Sequence, residues 1–261
     1  MTVAQTKRVN TMIKIRNLKK RFGEKEVLKG VDLDIKEGLT TVIFGLSGGG
    51  KSTIIKHIVG LLKADDGSIM FDNMDIIKAD DKNIFNVRSQ IGYLFQSGAL
   101  FDSMNIFENV AFPLRERFSL TESEITKRVN ASLEMVALDP STVGALFPDE
   151  LSGGMRKRAG LARTIIAKPK VMLYDEPTTG LDPITSDEIS RMIIHLQKEL
   201  KTTSILISHD IKEAFKCGDE FSMLYDGKII EQSDKNSFMN SSNPITRQFL
   251  DGLAEGPIRL K

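Results

Sequence analysis

The feature that most constrains this chain is the glycine-rich segment Gly45–Ser52, which reads GLSGGGKS. It follows a continuous apolar and β-branched run, Leu39–Phe44, and precedes the apolar-periodic stretch Thr53–Leu62. The sequence therefore predicts a buried strand, a tight loop and a helix. Backbone N–H groups that glycines leave unobstructed can surround a phosphate, and the positive end of the following helix favours the same anion. A merely flexible glycine-rich loop is the alternative, which the flanking strand and helix disfavour.

The residue types in this loop predict how a nucleotide would be held. Lys51 is expected to reach the β- and γ-phosphates of ATP, and the Ser52 hydroxyl is expected to ligate Mg²⁺. The predicted nucleotide-binding residues are Gly45, Leu46, Ser47, Gly48, Gly49, Gly50, Lys51, Ser52 and Thr53.

A second segment, Val171–Glu176, has four apolar residues followed by two adjacent carboxylates. It predicts a buried strand with Asp175 at its C-terminal end, where ligands bind in open α/β sheets. Asp175 is expected to hold Mg²⁺ there, usually through its water shell. Glu176 would point the other way and accept a proton from an attacking water. Taken alone, a strand followed by a solvated acidic turn is the commoner meaning of this pattern.

A third segment, Leu151–Met155, reads LSGGM and precedes an expected helix from about Arg156 to Ala167. Ser152 is a candidate N-cap, and Gly153 and Gly154 would let another group approach the helix start closely. This predicts a second anion-binding position in one chain. An ordinary capped helix is the alternative, and it is the favoured one when this segment is considered alone.

The rest of the chain predicts an α/β fold with a largely parallel sheet covered on both faces, because short apolar runs alternate with helical patterns. Val31, Leu33 and Ile35 alternate with acidic residues, which is typical of a strand buried on one face. From about residue 97 to 150 the pattern becomes mainly helical, and Thr121–Glu124 matches a capping box.

Composition excludes several classes of protein. Thirty-six Lys and Arg against 35 Asp and Glu give a net charge of +1, which argues against a nucleic-acid binder that works by bulk charge. The one cysteine, Cys217, excludes an internal disulfide and a multi-cysteine zinc site. No apolar run approaches the ~18 residues that span a bilayer, and the polar N-terminus lacks a signal-peptide core. A cytoplasmic location is expected.

The three segments, in this order, resemble the nucleotide-binding subunit of an ATP-binding-cassette (ABC) transporter, with Gly45–Ser52 as Walker A, Val171–Glu176 as Walker B and Leu151–Met155 as the signature motif. The resemblance implies a RecA-like P-loop NTPase core, an N-terminal antiparallel β subdomain and a helical subdomain inserted at about 97–167. The expected boundaries are a tail at 1–11, the ATPase domain at 12–240 and a C-terminal extension at 241–261.

The resemblance also implies roles for individual residues and an assembly. It assigns Phe22 to adenine stacking, Gln96 to sensing Mg²⁺ and the γ-phosphate, Asp182 to the D-loop and His209 to orienting Glu176. The expected catalytic residues are Lys51, Gln96, Glu176 and His209; the expected Mg²⁺ ligands are Ser52, Gln96 and Asp175. Two copies would pair head to tail, each ATP lying between the P-loop of one and Ser152, Gly153, Gly154 and Asp182 of the other.

Within that family, the segment Tyr93–Glu116 is similar to the ATPases of Mla-type lipid transport systems, as are Met155 and the tail Arg247–Gly252. This similarity implies an inner-membrane permease and an MCE-domain protein as partners, phospholipid as cargo, and a place on the cytoplasmic face of a Gram-negative inner membrane. A dense apolar set after Gln96 suggests a groove for a membrane-subunit helix, or simply the core of the insertion. The members of that set are Leu100, Phe101, Phe107, Phe112 and Leu114.

Two other functions stay open on the sequence. The first is the ATPase subunit of another ABC importer, for amino acids, metals or a different hydrophobic substrate, which would share every catalytic residue. The second is a soluble ABC protein acting on DNA or ribosomes. Such proteins usually carry two cassettes or a long coiled-coil insertion, neither of which the sequence contains.

Overall fold

The computed structural model of the protein describes residues 10–258, so the expected N-terminal tail, residues 1–11, lies almost entirely outside it. The strands are β1 Thr11–Phe22, β2 Lys25–Lys36, β3 Thr40–Gly45, β4 Asp66–Phe71, β5 Met74–Asp75, β6 Ile91–Leu94, β7 Val171–Asp175, β8 Thr203–Ile207, β9 Glu220–Tyr225 and β10 Lys228–Asp234. The α-helices are α1 Lys51–Ile58, α2 Asp81–Ser89, α3 Ile106–Arg117, α4 Glu122–Met135, α5 Pro140–Val143, α6 Gly153–Ile165, α7 Pro183–Leu200, α8 Ile211–Cys217, α9 Lys235–Met239 and α10 Pro244–Asp251.

The strands form two sheets. Four of them pair antiparallel in the order β2-β1-β4-β5, and six form a sheet in the order β10-β9-β3-β8-β7-β6. In the six-stranded sheet β9, β3, β8, β7 and β6 run parallel, and only β10 is antiparallel to its neighbour. The α/β fold with a largely parallel sheet, predicted from the sequence, is confirmed.

The central sheet is apolar on both faces because its strands are buried on both sides. On β3, Ile43 faces α1 and the antiparallel sheet, whereas Val42 and Phe44 face the helices on the other side. The predicted alternation on β2 is also present, with Val31, Leu33 and Ile35 buried and packed toward α1. Helix α1 is thus held between the two sheets, which fixes the loop that precedes it.

Helices α3 to α6 connect β6 to β7 and pack on one another through a shared apolar core. Helices α3 and α4 both begin with full capping boxes, at Asn105 with Glu108 and at Thr121 with Glu124. The second of these is the capping box predicted from the sequence. Among the described residues, no helix combines the length and the apolar character needed to cross a membrane.

Candidate functional site

The loop Gly45–Gly50 joins β3 to α1, as the sequence predicts, and its geometry depends on glycine. Gly45 has φ +153°, and a Cβ there would lie 2.5 Å from the carbonyl oxygen of Leu224 on the neighbouring strand. Gly50 caps α1 in a left-handed conformation with φ 105°. Residues 47–53 and Glu176 line an open cavity of about 200 Å³, which we call the P-loop cavity. A glycine-rich backbone and a helix start therefore border one space suited to phosphate.

The Lys51 ammonium is held inside this loop. It is 6% exposed and donates to the carbonyl oxygens of Gly45 at 2.8 Å and Leu46 at 2.9 Å. Burial lowers the pKa of Lys51, and the negative charges of Glu176 and Asp175 oppose that shift. The loop thus places a cation next to two carboxylates at the edge of the P-loop cavity.

Asp175 ends β7 beside the first turn of α1. The Ser52 hydroxyl donates to Asp175 Oδ1 at 2.9 Å, and the Tyr93 hydroxyl donates to Asp175 Oδ2 at 3.0 Å. Burial, with Asp175 next to it, raises the pKa of Tyr93, so its hydroxyl keeps its proton. A hydroxyl and a single carboxylate are the hard oxygen donors that Mg²⁺ accepts when phosphates and waters complete its shell. Within residues 10–258 there is no cluster of three or more His, Cys, Asp or Glu side chains arranged for a metal.

Glu176 follows directly in a strained conformation, with φ 51°. Three side chains approach its Oε2 atom. Gln96 Nε2 donates to it at 3.3 Å, Thr179 Oγ1 donates at 3.1 Å, and His209 Nδ1 lies 3.6 Å away. The structure therefore brings together the three predicted residues Glu176, Gln96 and His209, which come from three different strand ends.

The LSGGM segment forms a second, separate cavity. Ser152 caps α6, and its Oγ accepts from the backbone N–H of Met155 at 3.2 Å. Gly154 packs so closely that a Cβ would lie 2.7 Å from Thr185 Cγ2. Ser152, Gly153, Gly154 and Asp182 lie among the residues that line this open cavity of about 360 Å³, which we call the signature cavity. No residue lines both this cavity and the P-loop cavity.

Asp182 and Phe22 are placed away from the P-loop cavity of their own chain. Asp182 caps α7, accepting from the N–H groups of Ile184 and Thr185 at 3.0 Å, and the Thr185 hydroxyl bond lowers the pKa of its carboxyl. Phe22 ends β1 with 47% of its surface exposed, and the Lys20 ammonium lies 5.5 Å from its ring centroid. Its exposed ring offers a face for stacking.

The chain matches the family model described as "ABC transporter" over residues 28–179. This chain belongs to the ABC transporter family. The Haemophilus influenzae protein named intermembrane phospholipid transport system ATP-binding protein MlaF is 40% identical over 250 residues, covering 96% of this chain and 94% of that protein. A Mycobacterium leprae protein, named probable ribonucleotide transport ATP-binding protein mkl, is 40% identical over 246 residues, covering 94% of this chain and 70% of that protein.

Solved ABC cassettes share the fold. A dimeric structure of the cassette MJ0796, described as a post-hydrolysis state bound to ADP and Pi, superposes with a TM-score of 0.78 at 33% identity. The match covers 86% of this chain and 99% of that cassette. The ABC resemblance and the ABC ATPase fold predicted from the sequence are thereby confirmed.

Three residues at the site were not assigned roles from the sequence: Tyr93, Thr179 and Lys157. Asp175 lies 82 positions after Tyr93 in the chain, and the two side chains meet only because β6 pairs with β7. Thr179 contacts Glu176 within the turn that follows β7. Lys157 lies on α6 and donates to the Gln96 carbonyl oxygen. No local pattern marks any of them.

Proposed function

We propose that this chain is the ATP-hydrolysing subunit of an ABC transport complex that moves phospholipid between the inner and outer membranes of a Gram-negative bacterium. The match to the ABC transporter family supports the ATPase part. One observation carries the shared pockets: the chain has a P-loop cavity and a signature cavity that share no lining residue. The near full-length similarity to the MlaF protein supports the phospholipid part.

The P-loop cavity and the signature cavity of one chain are separate, so each requires the complementary cavity of a second copy to form a complete ATP pocket. In the proposed head-to-tail dimer, the P-loop of one protomer and Ser152, Gly153 and Gly154 of its partner enclose each ATP. The N-terminus of α6 then presents its free N–H groups to the partner's phosphates, as helix starts do for anions. Asp182, at the same cavity, would contact the partner across the dimer axis, and Phe22 would stack on adenine.

Within each pocket, this chain's residues bind and orient the phosphates. The Lys51 ammonium and the loop N–H groups hold the β- and γ-phosphates and neutralise charge on the transferring phosphoryl group. Ser52, Asp175 and Gln96 would hold Mg²⁺, which would supply positive charge to offset the negative charge of the phosphates. The 2.9 Å hydrogen bond from the Ser52 hydroxyl to Asp175 supports this assignment, because two of the proposed oxygen ligands are close together.

Glu176 is the proposed general base. Its Oε2 atom accepts the proton of the attacking water, a contribution that is typically about 10²–10⁴-fold in rate. Gln96, Thr179 and His209 surround that oxygen and set its direction. The in-line water attacks the γ-phosphorus, the bond to the β-phosphate oxygen breaks, and ADP and phosphate leave.

The partners and domain boundaries follow from the same proposal. We place the chain on the cytoplasmic face of the inner membrane, bound to a permease and, through the complex, to an MCE-domain protein. Of the apolar set suggested for the permease, Leu114 is fully buried, whereas Phe101 is 42% exposed and makes an edge contact with Phe112 at 4.9 Å. We keep the ATPase domain at 12–240, the helical subdomain at 97–167 and the extension at 241–261.

Complementation in mixed dimers tests the shared pockets. Lys51→Ala removes the phosphate-binding cation, and Gly153→Asp places a carboxylate where the partner's phosphate would lie. A Cβ on Gly153 makes only an ordinary 3.4 Å contact with Leu181, so the fold tolerates it, and Gly153→Ala is the matched control. Each variant alone should lose ATPase activity. Mixing the two should restore activity, because one pocket of the mixed dimer is intact. Absence of restoration would refute the shared pockets.

The cargo needs a separate experiment, because the mycobacterial relative is named for ribonucleotide transport. The complex is purified from native membranes through this chain, and its bound lipids and nucleotides are analysed. We expect phospholipid together with a permease. A complex that holds ribonucleotide cargo and no phospholipid, or one that contains an amino-acid or metal importer, would contradict the lipid assignment while leaving the ATPase intact.

A further inference from the structure

Lys157 is a buried cation that the mechanism above does not use. It lies on α6, one turn beyond the signature residues, and is 5% exposed. Its ammonium donates to the backbone carbonyl oxygen of Gln96, its one hydrogen-bond partner in the described part of the chain. Burial lowers its pKa, and the charge of Glu176 opposes that shift. Burying an ammonium group destabilises the folded state unless the group is well paired, which indicates that Lys157 has a specific role.

The residues after Gln96 are also bound to the helical segment by their main chain. Arg163 of α6 donates to the carbonyl oxygens of Gly98 at 3.1 Å and Ala99 at 2.7 Å. The fully buried Asn109 of α3 accepts from the N–H of Phe101 at 2.8 Å and donates to its carbonyl oxygen at 3.0 Å.

Close packing adds to these bonds. A Cβ on Gly160 of α6 would lie 3.1 Å from the Gly98 carbonyl oxygen, so the two backbones are nearly in contact. The stretch from Gln96 to Phe101 is therefore fixed to α3 and α6 and should move together with these helices.

The side chain of Gln96 points the other way. Its amide donates to Glu176 Oε2, on the loop that follows β7. Gln96 is thus the point at which the nucleotide side of the chain meets the helical segment, and Lys157 holds its main chain to the helix that begins at the signature residues.

We propose that Lys157 is a positioning residue that fixes Gln96 to α6, so that the state of one ATP pocket sets the position of the signature residues in the other. This rests on the proposed head-to-tail dimer. In that dimer Gln96 senses the nucleotide of its own chain, whereas Ser152–Gly154 of the same chain contact the nucleotide of the partner. Loss of the Lys157 contact should therefore impair both pockets, not one.

Mixed dimers separate the two pockets. One protomer carries Lys157→Met and its partner keeps Lys157. Adding Glu176→Gln to the partner leaves hydrolysis only in the pocket with the P-loop of the Lys157→Met protomer. Adding Glu176→Gln to the Lys157→Met protomer instead leaves only the pocket that uses its signature residues. We expect kcat to fall about tenfold in both arrangements, the effect of losing a hydrogen bond to a charged group, with the KM for ATP changed far less.

Controls separate positioning from folding. Lys127→Met on α4, an exposed lysine of the same helical segment, should change neither pocket. Lys157→Arg keeps the charge and donors and should restore most of the activity. Lys157→Met removes the desolvation cost of a buried charge and keeps a side chain of similar length. Should it still fail to fold, Lys157→Gln is measured in the same two arrangements, with a smaller loss expected in each pocket.

A loss confined to one pocket, or a loss no larger than that of Lys127→Met, overturns the coupling role. If dimers with Lys157 intact fail the Lys51→Ala and Gly153→Asp complementation, the proposed dimer itself is refuted. The two failures are thus distinguishable.

Discussion

Tyr93 holds the carboxylate of Asp175 from the side opposite Ser52, and both hydroxyls donate to it. Groups that donate a hydrogen bond to a metal-binding carboxylate orient it, and the loss of such a group typically lowers metal affinity about 10–100-fold. We expect Tyr93→Phe to raise the Mg²⁺ concentration for half-maximal ATPase activity about tenfold, with little change in thermal stability. Titration of ATPase activity with Mg²⁺ measures this. Tyr225→Phe is the matched control, and an unchanged Mg²⁺ requirement in Tyr93→Phe would show that Asp175 needs no such support.

The sequence predicts the roles of site residues that lie inside motifs. It does not predict the roles of residues that contact those motifs only in the folded chain. Lys51 and Ser52 follow from a local pattern whose chemistry is specific. The pattern that contains Asp175 and Glu176 is common by itself, and these two residues gain their assignment from the ABC resemblance. The catalytic roles of all four stay predictions. Tyr93 could not be assigned in this way, because its contact depends on which strand pairs with β6. That pairing is decided by the whole sheet, not by the residues around Tyr93.

Element boundaries show where local signals are overridden. The sequence predicts a helix from about Arg156, yet α6 begins at Gly153. Glycine disfavours helix by about 1 kcal/mol, but the Ser152 cap and the contact of Gly154 with Thr185 hold the first turn. The helix after the P-loop ends at Ile58, sooner than the expected Leu62, because Gly60 turns the chain with φ +65°.

Replacing the residue that caps α6 should affect both stability and activity, and the two effects can be measured separately. Ser152 and Thr121 both cap helices by accepting a backbone N–H bond, so replacing either by alanine should cost about 1 kcal/mol in the free energy of unfolding. In a chain of this size that corresponds to a fall of about 2–4 °C in melting temperature. Only Ser152→Ala should also lower ATPase activity, because Ser152 lines the signature cavity whereas Thr121 does not. Melting curves and activity assays of both variants test this; equal activity losses would assign Ser152 a purely structural role.

Helix α10, near the C-terminus, packs against the rest of the same chain. Ile245, Phe249 and Leu253 are spaced four residues apart, which is typical of one face of a helix. In the structure Ile245 and Phe249 of α10 pack against the core, whereas Leu253 lies beyond the helix end and is 58% exposed. The Thr246 hydroxyl also donates to Glu231 of β10 at 2.7 Å. The helix thus covers the central sheet of its own chain.

One ring contact of α10 lies next to the P-loop. The ring of Phe249 lies 5.6 Å from that of Phe44, which directly precedes Gly45 on β3. Phe249→Ala should lower the free energy of unfolding by about 2–3 kcal/mol, less than the roughly 3–5 kcal/mol that loss of a buried Phe costs, because Phe249 is only partly buried. Leu253→Ala, the matched control, should change it by less than about 0.5 kcal/mol. Urea unfolding of both variants gives the comparison. If Phe249→Ala proved as harmless as Leu253→Ala, α10 would not be held on its own chain in solution, and its apolar face would be free to contact a second protomer.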